Sequence, residues 1–69
     1  MSSSHPTRIR YYRLQRGLSQ ESLARHVGVT KAAVSKWETG LTYPRPDSAH
    51  VLAQVLQMPI GEIYTPRAA

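Results

Sequence analysis

The stretch Leu18–Gly40, LSQESLARHVGVTKAAVSKWETG, decides how this chain folds. It states one short pattern twice: an apolar residue, a hydroxyl residue, an apolar stripe, then glycine. Ser19 suits a helix N-cap, because its side-chain oxygen can accept a first-turn N–H that has no helical partner. Leu18 and Leu23 flank that cap as a hydrophobic staple. Leu23, Ala24 and Val27 make one inner stripe, and Gly28 stops a helix expected over about residues 20–27. Thr30 then caps again, with Val29 stapled to Val34, and opens a helix expected over about 31–38. Val34 and Trp37 face inward with Ala33 beside them. Lys31, Ala32, Ser35, Lys36 and Thr39 gather on the opposite side. Only Gly28, Val29 and Thr30 separate the two helices, so they must cross at a steep angle.

Working outward, Thr7 is expected to cap a first helix that runs to about Arg16, with Gly17 as its left-handed stop. Ile9, Tyr12 and Arg13 share one face of it, which sets an arginine among apolar neighbours. After the loop Leu41–Arg45, Pro46 suits the first position of a fourth helix over about 46–57, and Asp47 suits its dipole. Ala49, Leu52, Ala53 and Leu56 repeat at helical spacing, and Val51, Val55 and Met58 add apolar surface beside them. Pro59 starts a last helical turn in which Ile60 and Ile63 are expected to close the core. Residues 1–6 read as a mobile N-terminal tail, 7–64 as the domain and 65–69 as a C-terminal tail. No strand pattern appears. The expected fold class is all-α, a compact bundle of five short helices.

The totals agree with a small binding module. Sixty-nine residues allow one domain, and a domain this short buries only ~60% of its unfolded surface. There is no cysteine, which fits a reducing compartment. The N-terminus lacks the apolar segment of a signal peptide, and no apolar run reaches the ~20 residues of a membrane span. A soluble, cytoplasmic protein is expected. Nine Lys and Arg against four Asp and Glu give a formal charge of +5, which favours a polyanionic partner over a merely solvated surface. His5, His26 and His50 form no metal-ligand spacing. No carboxylate pair and no glycine-rich phosphate loop is present, and the serines read as caps and surface. No cofactor, no metal and no enzymatic activity are expected.

Gln20, Ala24, Gly28, Val34 and Trp37 fall at the spacing of a helix-turn-helix unit over residues 20–39. Ala24 lets the helices approach, Gly28 permits the left-handed turn, and Val34 and Trp37 pack the second helix down. With LSQ before and ETG after, the chain from about Arg8 to Tyr64 resembles the phage repressor/Cro-like (XRE-type, lambda-repressor-like) family. The resemblance implies roles for individual residues. Lys31, Ala32, Ser35 and Lys36 match positions that reach DNA base edges. Gln20, Thr30, Thr39, Thr42, Tyr43 and Arg45 match positions that hold DNA phosphates. Arg13 and Glu38 match a buried ion pair, which accounts for an arginine on an apolar face. Many family members carry Gln or Arg at the first recognition positions. This chain has Lys31 and Ala32 there, so no base preference carries over.

The expectation is a sequence-specific double-stranded DNA-binding transcriptional regulator, a repressor acting by occupancy in a prokaryotic or phage-like setting. A homodimer on DNA is expected, with Val51, Val55, Met58 and Pro59 as the candidate dimer surface. The competing reading is an antitoxin-like or accessory module that uses the same fold to grip a protein partner, a toxin or another regulator. For Lys31 and Lys36 the plain alternative is a solvated helix face. Lysine can donate to guanine O6 and N7, and Ala32 can touch a thymine methyl.

Overall fold

Two short capped helices joined by a three-residue turn form the centre of the molecule, as the repeated pattern requires. The computed structural model describes residues 7–64, so the tails expected at 1–6 and 65–69, with His5, lie outside the described residues. The helices are α1 (Ile9–Gln15), α2 (Gln20–Val27), α3 (Lys31–Thr39), α4 (Pro46–Leu56) and α5 (Gly61–Tyr64), and no strand is found among the described residues. Ser19 accepts the Ser22 N–H at 3.0 Å, and Thr30 accepts the Ala33 N–H at 3.1 Å. Gly28 ends α2 at φ 84°, its N–H donating 2.8 Å to the Ala24 carbonyl, and Gly40 ends α3 at φ 81°. A side chain at those φ values strains against the backbone.

α3 packs on α2, α4 packs on α2, and α1 bridges α3 and α4. The core is Ile9, Leu23, Ala24, Val34, Trp37, Ala49, Leu52, Leu56, Met58 and Ile63, every one nearly or fully buried. Stability rests chiefly on this burial, because helices of four to eleven residues are marginal alone in water. No helix among the described residues is long and apolar enough to cross a membrane.

Arg13 and Glu38 lie inside this frame, 8% and 5% exposed. Arg13 Nε donates to Glu38 Oε2 at 2.5 Å and Nη2 to Oε1 at 3.3 Å, while Nη1 reaches the Leu18 carbonyl at 2.8 Å. One guanidinium thus ties α1, the start of α2 and the end of α3 together.

Three expectations need correction. Thr7 gives α1 only a loose cap, with the Ile9 N–H 3.4 Å from its hydroxyl. Its hydroxyl instead donates 2.9 Å to the Trp37 carbonyl and its N–H reaches the Glu38 carbonyl at 3.3 Å, so it pins the chain to the end of α3. Ile60 does not close the core. It precedes α5, off the helical stripe, and is 47% exposed, whereas Ile63 is fully buried. Met58 is not surface: it is only 5% exposed. Gln57 causes this by taking the left-handed conformation itself (φ 53°, ψ 50°), the role glycine plays more cheaply. The chain then turns Met58 inward, with its N–H 3.1 Å from the Ala53 carbonyl.

Candidate nucleic-acid interface

The α3 caps decide which residues face outward. With Val34 and Trp37 buried, Lys31, Ala32, Ser35, Lys36 and Thr39 fall within an arc of about 140° at 100° per residue. Lys31, Ala32, Lys36 and Thr39 are exposed, and Ser35 is half-buried. This edge is one helix wide and free of bulk, a shape the major groove admits.

Charge is distributed to match. Lys31, Lys36 and Arg45 are exposed and make no ion pair among the described residues. The acidic side chains are mostly engaged elsewhere. Glu38 holds Arg13, Glu62 lies 2.9 Å from Arg8 Nε, and Glu21 lies 4.0 Å from Arg25. The Arg8–Glu62 contact is an ion pair lying off the axis of a hydrogen bond. Asp47, at the start of α4, accepts the Ser48 N–H at 2.9 Å. Positive charge without an ion-pair partner among the described residues thus lies on the α3 edge and the loop after it, as it also does on the exposed Arg10 and Arg16, and on the α3 side a polyanion can supply the missing partners.

Gln20 is half-buried at the first position of α2. Its Nε2 donates 3.0 Å to Glu38 Oε1, so one amide hydrogen is held by the buried pair and the other has no partner among the described residues. Around it, the first N–H groups of α2 lack helical partners, an arrangement suited to an anion. Thr30 uses its oxygen as a cap acceptor, leaving its hydroxyl hydrogen to donate outward. Thr39 has already given its hydroxyl hydrogen to the Lys36 carbonyl at 3.1 Å, so it must break that bond before it can donate to a phosphate. Thr42, Tyr43 and Arg45 are exposed on the loop, and Pro44 between them is buried as its anchor.

The structure thus brings Gln20 and the α3 edge together through Glu38, a link that no local spacing signals. It separates the candidate dimer residues: Val51 and Val55 are half-buried, Pro59 is exposed and Met58 is in the core. It also adds contacts that sequence reading did not supply. Tyr12 Oη donates to Glu62 Oε1 at 3.0 Å, and Tyr64 Oη donates to the Pro44 carbonyl at 3.2 Å. Both span twenty residues or more, beyond the reach of any periodicity.

A family model described as helix-turn-helix matches residues 9–63. The HTH-type transcriptional activator BcrR of Enterococcus faecalis is 32% identical over 58 residues, 84% of this chain and 28% of BcrR. The chain therefore spans little more than a quarter of that relative's length. The P22 c2 repressor, in a crystal structure with a synthetic operator, superposes with a TM-score of 0.77 at 32% identity, over 81% of this chain and 85% of that one. The N-terminal DNA-binding domain of SinR from Bacillus subtilis gives 0.75 at 27% identity, over 90% and 91%.

Proposed function

The chain belongs to the helix-turn-helix family, and from that premise we propose that it is a sequence-specific double-stranded DNA-binding regulator of transcription. One observation carries this reading. The exposed edge of α3 and its following loop hold Lys31, Lys36 and Arg45 without ion-pair partners among the described residues, in a fold shared with a repressor solved with a synthetic operator. In this reading α3 enters the major groove. Lys31 and Lys36 donate to base acceptors while Ala32 and Ser35 set the fit. Gln20, Thr30, Thr39, Thr42, Tyr43 and Arg45 grip phosphates, fixing register without reading sequence. Regulation follows from occupancy, repression where the site overlaps a promoter.

The protein acts as a cytoplasmic homodimer on half-sites about 34 Å apart, one helical turn. Pairing uses the face around Val51, Val55 and Pro59, with Met58 withdrawn because it is buried. Residues 7–64 suffice as the binding domain, and neither cofactor nor metal takes part.

In-vitro selection from random duplex DNA at two salt concentrations tests the function. A sharp palindromic consensus that persists at the higher salt is expected. Loose binding that simply collapses with salt would contradict sequence-specific regulation and favour a module directed at a protein partner.

A further inference from the structure

The loop proposed to hold phosphates is fixed from the far end of the domain. Tyr64, the last residue of α5, donates its hydroxyl to the Pro44 carbonyl at 3.2 Å. That carbonyl belongs to the peptide that joins Pro44 to Arg45, so the bond sets the plane from which the Arg45 side chain departs. The Tyr64 ring also lies 6.2 Å from the Tyr43 ring, tilted by 40°. Tyr64 therefore meets the loop at the Pro44 carbonyl, next to Arg45, and at the Tyr43 ring. Its own placement is secured by its neighbour Ile63, which is fully buried. A second tie holds α5 itself, through Glu62 to Tyr12 at 3.0 Å and to Arg8 at 2.9 Å.

We propose that Tyr64 is a positioning residue for the DNA-backbone grip: its hydroxyl orients the Pro44–Arg45 peptide so that Arg45 meets phosphate without first being ordered. Fixing a loop in its bound geometry removes an ordering cost from binding. Because phosphate contacts carry no sequence information, the effect applies equally to every duplex. The end of α5 is thereby coupled to DNA affinity, so whatever engages the chain at Tyr64 also acts on the grip of this loop. The inference rests on the phosphate role given above to the loop.

The test measures binding of the full chain to a duplex carrying the selected consensus and to a scrambled duplex. Tyr64→Phe keeps the ring pair and removes only the hydroxyl. It is expected to weaken both complexes about fivefold, the equivalent of one hydrogen bond of roughly 1 kcal/mol. In an Arg45→Ala background the same change is expected to do almost nothing, since the group being positioned is gone. A purely structural tyrosine would not show that coupling. If Arg45→Ala weakens binding but Tyr64→Phe has no effect, or an equal effect in both backgrounds, the positioning role is overturned while the loop's phosphate role stands. If Arg45→Ala leaves binding unchanged, the phosphate role itself fails.

Discussion

Replacing Glu38 by alanine should destabilise this domain severely, beyond its effect on the Gln20 side chain that it holds. Glu38 is 5% exposed, and its carboxylate accepts from Arg13 Nε, Arg13 Nη2 and Gln20 Nε2. Alanine removes both acceptor oxygens and all three hydrogen bonds, and strands the guanidinium of Arg13, a residue itself 8% exposed. Removing one partner of a buried pair costs about 3–5 kcal/mol, most of it the penalty of the uncompensated charge. A domain of this size is held by only about 3–10 kcal/mol in total. At 4–8 °C per kcal/mol, the melting temperature should fall by roughly 12–40 °C. Trp37, the single tryptophan, adjoins Glu38 and is buried, so its fluorescence during a thermal melt reports the loss directly. The double variant Arg13→Met, Glu38→Leu separates the causes. Apolar groups of similar volume often replace a buried pair at little cost, so it should regain most of the lost stability. A Glu38→Ala protein melting within about 5 °C of wild type would refute the pairing energetics. A double variant as unstable as the single one would refute the stranded-charge explanation.

Two other perturbations address different physical terms. Gly28→Ala meets no atom within 4 Å at the new Cβ but must keep φ near 84°. It should therefore cost only the left-handed penalty of about 1–2 kcal/mol, seen as a lowered melting temperature with unchanged sequence preference in the selected consensus. Arg45→Ala should reduce the slope of log affinity against log salt by about 0.9, with the consensus unaltered. An unchanged slope in that titration would remove Arg45 from the interface.

Legibility in the sequence followed the range of the forces involved. Caps, staples and glycine stops act over three to five residues, and they placed α2 at its observed bounds and α3 within one residue, the helix continuing to Thr39. Helical periodicity found the inner faces of α2, α3 and α4. Failures came where a local rule met a tertiary partner or an unusual backbone. Thr7 looked like a cap until the Trp37 carbonyl claimed its hydroxyl. Met58 reads as surface by periodicity, and only the left-handed turn that Gln57 takes, at a position where family members commonly have glycine, carries it inward. Arg13 and Glu38 were paired only through family resemblance, for nothing in their spacing joins residues 25 positions apart. The Gln20–Glu38 and Tyr64–Pro44 bonds had no signal at all, since each depends on how finished helices pack.

In the proposed function the exposed edge of α3 reads bases rather than merely attracting phosphate. Lys31 tests it most directly: it is exposed at the first position of α3 and makes no ion pair among the described residues. Affinities of wild type and Lys31→Ala should be measured on the selected consensus and on duplexes substituted one base pair at a time. A loss of about 1–3 kcal/mol on the consensus is expected, with a relaxed preference at one position per half-site, the other positions keeping theirs. An equal loss on every duplex, with all preferences intact, would make Lys31 a phosphate contact and contradict the claim.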